Sequence, residues 1–488
     1  MGAPAGRRDL AWLAILCLGL LVAMAWPYLV DGHRFGVGPD VPVYLWWTRV
    51  GASEGLSTLG GRPGAPALAA GLGGTLNLNA AAVTAALPAA LGVAVGTAAA
   101  ALVRTAGGRL GSAWWLAGLL SGAFSVHLVA GYLANLVFAV TFLAAAACLA
   151  GSRRSWGGAA LLIAGGGLAH PPFLVHGIVV LAGAAALARW NGARDEARDV
   201  VLAAGLGGLV AGAGVLATLA GPGPFRVETS KDAYLRRAGL DAPLVEAYRE
   251  RFRLRAARYV QWVSVPLALA GVSRPAGFLR RFLLAWLLLI AVGVPVGWIT
   301  GWYPPDRLVT FGFAVPVAAG LGLAWVRRRL GGRPWLAWLV LVLAAGWMIG
   351  GAAVAWLRQA PFVSVREAAE SEQLMSYAAA VTDPGTPIVV LVDEGDTAST
   401  FLAARAANIL RGAAPPERAA DVHVVLGTAD DYFAGRATER GDPEFDAIAA
   451  STLATIPPGT RLVAVTGAFY GGDDVRTDPR LRRLGDDS

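Results

Sequence analysis

The amino-acid sequence predicts an α-helical polytopic membrane protein that carries a small extracytoplasmic α/β domain at its C-terminal end. Of its 488 residues, 56% are hydrophobic and only 15% are charged, which excludes an ordinary soluble globular protein. Long apolar segments recur, many of them near the roughly 20 residues that a helix needs to cross a bilayer. Charges become frequent after Arg366, so we expect two domains, 1–357 in the membrane and 358–488 outside it.

About eleven membrane spans are predicted in the first domain. They are 10–30, 80–103, 112–131, 133–150, 157–169, 172–188, 199–220, 259–273, 282–302, 308–326 and 334–357. Arginine clusters fall in alternate loops, and the positive-inside rule therefore places the N-terminus in the cytoplasm of a cell (plasma or inner) membrane. His170-Pro171-Pro172 is predicted to break 157–188 into two helices, because proline ends a helix and both basic ends of this segment then stay inside.

This topology puts the loops 31–66 and 221–258, two short turns and the C-terminal domain on the external side. In the C-terminal domain, strand-like segments alternate with helix-like ones, which predicts a parallel sheet. The predicted strands are 387–392, 422–426 and 461–466, and the predicted helices are 397–411 and 445–456. Either a sugar- or partner-binding accessory domain or a purely structural cap fits this pattern.

Charge and cysteine usage narrow the possible functions. The net charge of +8 does not indicate nucleic-acid binding, because most of the excess lies in the arginine clusters that set topology. Cys17 and Cys148 lie in apolar segments, as inert buried thiols do. The interiors of the predicted spans lack Asp, Glu, Lys and Arg, which disfavours an ion-coupled transporter. Polar chemistry is therefore expected at one membrane face.

Candidate catalytic residues follow the first span directly. Asp31 and Asp40 are the candidates, because a carboxylate can deprotonate an acceptor hydroxyl or hold a divalent cation such as Mg²⁺ or Mn²⁺. Asp40 is preferred, both as base and as metal ligand, since Gly38-Pro39 fixes its direction. The alternatives are a solvated span end for Asp31 and a helix N-cap for Asp40. His33 and Arg34 can bind phosphate or belong to an ordinary polar loop.

Two pairs of candidate substrate-binding residues lie on predicted helices near this face. Trp46 and Trp47 belong to a helix predicted after Asp40, which we expect at the membrane interface, where they can contact a prenyl chain or sugar. Arg249 and Arg253 belong to 242–258, whose apolar residues recur at helical spacing. This external amphipathic helix suits either a lipid phosphate or simple anchoring to anionic lipid.

The two external turns contribute the remaining candidates. Asp306 and Arg307 end the turn that begins at Tyr303, and Arg307 can reach a phosphate there. The alternative is a mutually paired turn in which Asp306 caps the next helix. His170 is either structural or a group that binds phosphate or shuttles a proton.

The combined pattern resembles the GT-C superfamily of polytopic membrane glycosyltransferases. The resemblance covers the arrangement of the whole chain: a first-loop acid, Asp31 or Asp40, a late Pro-Pro-Asp-Arg turn before an apolar span, and an external C-terminal domain. It implies an enzyme that moves a sugar from a polyprenyl-phosphate donor to an envelope glycan, lipid or protein, with Asp40 as base or ligand of an optional metal. The adjacent Asp-Glu or Asp-x-Asp of several such families is absent from the first loop. A lipid-linked glycan flippase or exporter and a non-catalytic envelope scaffold are the alternatives.

Overall fold

A computed structural model shows a bundle of helices followed by a short pair of strands. It describes residues 40–55, 62–106, 113–122, 131–151, 154–220, 262–300, 305–359, 365–385, 388–392 and 409–426, with isolated residues between 11 and 30 and at 249, 252 and 253. The helices are α1 Val41–Glu54, α2 Gly64–Leu76, α3 Ala80–Thr105, α4 Ala113–Gly122, α5 Leu133–Ala150, α6 Trp156–Ala169, α7 Pro171–Trp190, α8 Arg194–Ala220, α9 Ser264–Val272, α10 Gly277–Thr300, α11 Pro305–Thr310, α12 Ala314–Arg329, α13 Pro334–Gln359 and α14 Val365–Ala380.

The long apolar helices identify a membrane protein. Within the described residues, α3, α5, α7, α8 and α10 are long and apolar enough to cross a membrane, by length and composition. Helix α6 and the Pro334–Met348 part of α13 are shorter apolar helices. The predicted first span, 10–30, lies almost entirely outside the described residues, and the total of about eleven spans stays a prediction. The predicted break at His170 is confirmed, because α6 ends at Ala169 and α7 begins at Pro171.

Two predictions about local structure need correction. The segment 308–326 was expected to be one span, but it is divided into α11 and α12. Pro316 lies in the first turn of α12, where proline is tolerated. If α11 and α12 formed one continuous helix, the ring of Pro316 would clash with the backbone carbonyl group one turn earlier. The Phe311 carbonyl oxygen between the two helices instead accepts a hydrogen bond from Trp286 Nε1 at 3.0 Å. The first loop, 31–66, contains α1, which was predicted, and the start of α2, which was not.

Small residues allow the helices to pack closely. An added Cβ on Gly96 of α3 would lie 2.7 Å from the Gly118 carbonyl oxygen of α4. The contact between α9 and α12 is tighter still, since a Cβ on Gly271 or Gly322 would overlap the backbone of the other helix. Glycine and alanine permit this approach of helix backbones in membranes.

Alternating helix directions separate two ends of the bundle. At one, which we call the Asp40 end, the Tyr44 hydroxyl accepts a hydrogen bond from the Ala134 amide of α5 at 3.3 Å. Gly64 of α2 packs there against Ala169, at the end of α6. Helices α5 and α7 run away from this end, whereas α6, α8 and α10 run toward it, so the other termini of these five helices meet at the opposite end.

That opposite end, the Glu196 end, is fastened by an ionic cluster. The buried carboxylate of Glu196 on α8 accepts hydrogen bonds from Arg154 at 3.2 Å, just before α6, and from Arg281 Nε at 2.7 Å, near the start of α10. Asp199 adds a second carboxylate 3.8 Å from Arg154. Three helix starts are therefore joined through one acid.

The C-terminal part contains two of the three predicted strands. Strands β1 Ile388–Val392 and β2 Val422–Leu426 pair in parallel, with Ile388 opposite Val422. The buried Arg418, in the 3₁₀ helix Pro416–Asp421, donates to the carbonyl oxygens of Ala379 and Thr382 at 2.8 and 3.0 Å, and so binds the end of α14 to this segment. Predicted strand 461–466, predicted helix 445–456 and most of 397–411 lie outside the described residues. The α/β domain as a whole therefore stays a prediction.

Candidate active site at the Asp40 end

Asp40 occupies the N-cap position of α1 but does not cap the helix. Its backbone is at φ −91° and ψ −14°, and its half-buried side chain makes no capping hydrogen bond. A capping carboxylate accepts from the amide of the second or third helical residue, and Pro42 at the second position has no N–H. Asp40 therefore does not cap the helix, which was the alternative to a catalytic role.

Tyr44 is buried one turn after Asp40. Besides its hydrogen bond with Ala134, its hydroxyl is close enough to Asp40 and Arg62 for their charges to act on it. Burial, and then the negative charge of Asp40, raise the pKa of the Tyr44 phenol, while Arg62 opposes the shift. The phenol therefore stays protonated and neutral beside the carboxylate. Nothing in the sequence around Tyr44 indicates its contact with α5.

The structure buries the two tryptophans that we expected at the membrane interface. Trp46 and Trp47 are only 5% and 8% exposed. Trp46 Nε1 donates to the Ala419 carbonyl oxygen at 2.7 Å, and the Arg411 guanidinium lies 4.7 Å from its ring. Trp47 packs edge-on against Tyr44. Trp46 therefore faces the C-terminal segment, and contact of either indole with a prenyl chain or sugar stays a prediction.

Arg49 strengthens the contact between α1 and the C-terminal segment. Its Nη1 donates to the carbonyl oxygens of Gly412 and Ala414 at 3.1 and 2.5 Å. Burial lowers the pKa of this guanidinium, while Glu372 and Glu417 oppose the shift. The group remains cationic, since arginine does not lose its proton in proteins. The helix that begins at Asp40 is thus fixed on one side by the bundle and on the other by residues 411–419.

The predicted turn residues Asp306 and Arg307 begin α11. Asp306 is fully buried in the first turn, whereas Arg307 is half-buried. The two described side chains form no salt bridge with each other, so the mutually paired turn is not what the structure shows. Helix α11 is held by Leu308, which packs against Gly293 of α10, and by the aromatic ring of Phe311, 4.9 Å from that of Trp286.

Arg249 and Arg253 lie against the end of α10 that leads to α11. Arg249 Nε donates to the Trp298 carbonyl oxygen at 3.2 Å, and the Arg253 guanidinium lies 5.5 Å from the Trp298 ring. Phe252 packs edge-on against the same indole. Because Trp298 is seven residues before Pro305 in the sequence, both arginines lie at the same end of α10 as the Asp306 turn. Phosphate binding by any of these arginines stays a prediction.

His170 has a structural role at this end. It is buried, and its Nδ1 accepts a hydrogen bond from the Phe173 amide at 3.0 Å, so it caps the N-terminus of α7. Of the two roles predicted for His170, the geometry therefore agrees with the structural one. Asp31, His33 and Arg34 lie outside the described residues, and their predicted roles stay predictions.

Replacing His170 tests this capping role. We expect His170→Ala to lower the free energy of unfolding by about 1 kcal/mol, because one amide of α7 loses its acceptor. His170→Asn should recover most of that loss, since an amide oxygen is also a good cap. Thermal unfolding of the purified protein measures both. The capping role would be contradicted if His170→Asn lost as much free energy of unfolding as His170→Ala.

The described residues do not by themselves form a site for a divalent cation. Among them, no group of three or more His, Cys, Asp or Glu side chains is placed to hold a metal ion. Asp40 provides one carboxylate, whereas Mg²⁺ and Mn²⁺ take about six oxygen ligands. Binding of an optional Mg²⁺ or Mn²⁺ by Asp40 therefore stays a prediction.

Solved archaeal oligosaccharyltransferases share this fold, in agreement with the resemblance to the GT-C superfamily seen in the sequence. No known protein family and no curated protein matches the chain, but solved structures do. The apo oligosaccharyltransferase of Archaeoglobus fulgidus superposes with a TM-score of 0.58 at 13% identity, over 91% of this chain and 68% of that one. The archaeal oligosaccharyltransferase AglB from the same organism, in complex with an inhibitory peptide and a dolichol-phosphate, gives 0.56 at 12% identity, over 92% and 68%. At such identities the likeness establishes the fold.

Proposed function

We propose that the protein is a membrane glycosyltransferase that moves a sugar or glycan from a polyprenyl-phosphate donor to an extracytoplasmic acceptor. The observation that carries this proposal is the placement of Asp40. Its carboxylate is at one end of a GT-C fold, on a helix fixed from both sides, and is not used for capping. The dolichol-phosphate in the AglB complex supports this class of donor, and the peptide supports a protein acceptor. The Asp40 end would then face the outside of the plasma membrane.

The site residues fit such a transfer. Asp40 takes the proton of the acceptor nucleophile, which attacks the anomeric carbon of the sugar. The bond between that carbon and the phosphate oxygen breaks, and the polyprenyl phosphate leaves with the electron pair. Arginines at the same end of the bundle offset the negative charge that develops on the phosphate. Arg307, Arg249 and Arg253 are the described residues suited to this role, and Arg34 is the undescribed one.

A transfer assay on the full-length protein in proteoliposomes tests this function. The donor is a polyprenyl-phosphate-linked sugar labelled in the sugar, offered with peptide, glycan and lipid acceptors. We expect label in one acceptor class together with release of polyprenyl phosphate. Rapid movement of the labelled lipid across the bilayer without any transfer product would instead establish a flippase. If the folded protein supported neither sugar transfer nor movement of the lipid, the scaffold alternative would remain.

A further inference from the structure

A group of arginines and tryptophans lies at the end of the bundle opposite Asp40. The Arg274 guanidinium is 4.2 Å from the ring of Trp325, and the Arg329 guanidinium is 5.7 Å from the same ring. Arg327 lies 5.1 Å from the ring of Trp338. We call these five residues the Trp325 surface. Its place is set by Arg274, which is only seven residues before Arg281 of the Glu196 cluster.

Close helix packing builds this surface. Arg274 follows α9, and Trp325 lies on α12, the two helices that meet at Gly271 and Gly322 without room for side chains. Arg274 Nε also donates a hydrogen bond to the Ala270 carbonyl oxygen at 3.0 Å. This hydrogen bond helps to hold the Arg274 guanidinium over the indole of Trp325. A cation–π contact stabilises the charge and leaves the other guanidinium N–H groups able to donate.

The positive charge of this region has little compensation nearby. Residues 262–359 contain nine arginines and one acid, Asp306. Asp306, Arg307 and Arg358 lie at the other end of the bundle, and Arg281 is paired with Glu196. Among the described residues, Arg274 and Arg329 form no salt bridge. The neighbouring Arg154, by contrast, is balanced by Glu196 and Asp199. The Glu196 end therefore has a neutralised part and a cationic part, and the Trp325 surface is the cationic part.

Exposed indoles place the surface at the depth of lipid headgroups. Trp338 is 45% exposed and the nearby Trp335 is 68% exposed. Tryptophan gathers at the boundary between hydrocarbon and water. From Trp338 the exposed side chains of Leu339, Val342 and Leu343 continue along α13. An apolar strip thus runs into the membrane from a cationic patch at its boundary.

We propose that the Trp325 surface binds an anionic phospholipid. The headgroup phosphate would accept hydrogen bonds from Arg274 and Arg329, and an acyl chain would lie along the apolar strip of α13. Arginine suits phosphate because its N–H groups match the phosphate oxygens in pairs. This site is distinct from the proposed donor site, which lies at the Asp40 end, and it does not depend on the proposed function.

Native mass spectrometry of the detergent-purified protein tests the proposal, with phosphatidylglycerol and phosphatidylcholine of the same acyl chains as probes. We expect the wild-type protein to retain phosphatidylglycerol in preference, and more weakly as salt is raised. The double variant Arg274→Gln, Arg329→Gln should bind it about 10- to 30-fold more weakly, since each arginine near a charged lipid contributes comparably to binding. Its binding of phosphatidylcholine should not change.

Arg198→Gln is the matched control. Arg198 lies at the same end of the bundle and is exposed, but Asp195 and Asp199 balance its charge at 4.0 and 3.4 Å. This variant loses one positive charge and should keep the wild-type preference. Equal binding of the two lipids by the wild-type protein would overturn the proposal, whether or not the double variant folds. Undiminished phosphatidylglycerol binding by a folded double variant would also overturn it.

Discussion

Replacing Asp40 by asparagine should reduce sugar transfer by about 10²- to 10⁴-fold, the range over which a positioned general base contributes. The substitution keeps the size of the side chain but removes its negative charge and its ability to take a proton. Since the Asp40 side chain makes no capping hydrogen bond in α1, the helix should form equally well in the variant. Initial rates of transfer from a labelled polyprenyl-phosphate sugar measure the effect.

Asp383→Asn is the control for this experiment. Asp383 is an exposed carboxylate of the C-terminal part, and its replacement should leave both rate and stability unchanged. The unfolding temperature of Asp40→Asn should match that of the wild-type protein, so that a lost rate reports chemistry. Transfer at the wild-type rate by a folded Asp40→Asn protein would refute the role of Asp40 as base.

Replacing Glu196 by glutamine should have the largest effect on stability. The side chains of Arg281 and Arg154 are 14% and 32% exposed, and both bond to the Glu196 carboxylate. Removing one partner of a buried pair leaves a charge without compensation, which costs about 3–5 kcal/mol. We expect about 3 kcal/mol here, at the low end of that range, because Arg154 can be partly solvated and retains Asp199.

Unfolding of the purified protein by a denaturing detergent measures this free energy. Asp195→Asn is the control, because Asp195 neighbours Glu196 in the sequence but its side chain is 86% exposed. Exposed ion pairs contribute little, so this variant should resemble the wild-type protein. If both variants lost similar stability, the joining of three helix starts through Glu196 would be refuted.

Local sequence signals were sufficient to predict much of the helical architecture. Apolar length predicted the long helices, and the two prolines after His170 predicted the break between α6 and α7. The division between α11 and α12 was missed, because an apolar segment with a single proline, Pro316, near its middle is also compatible with one span. The hydrogen bond from Trp286 that satisfies the Phe311 carbonyl is a tertiary contact with no local sign.

The candidate site was predicted only in part, for a similar reason. The helix predicted after Asp40 is confirmed as α1, whereas the role of Asp40 itself stays a prediction. Aromatic residues beside a predicted interface suggested that Trp46 and Trp47 face lipid, since amphipathic aromatics gather there. The burial of Trp46 involves Ala419 and Arg411, more than 360 residues away in the sequence, and composition carries no information about such a partner.

The contact between α1 and the C-terminal segment also sets an order of events in biosynthesis. Ala419 follows Trp46 by 373 residues, and Gly412 follows Arg49 by 363. The ribosome therefore synthesises the helices of the bundle before the carbonyl acceptors of Trp46 and Arg49 exist. A nascent chain that stops before residue 409 can insert its helices but leaves the Asp40 helix without one of its two supports. Translation must therefore pass residue 419 before the helix that follows Asp40 can gain both of its supports.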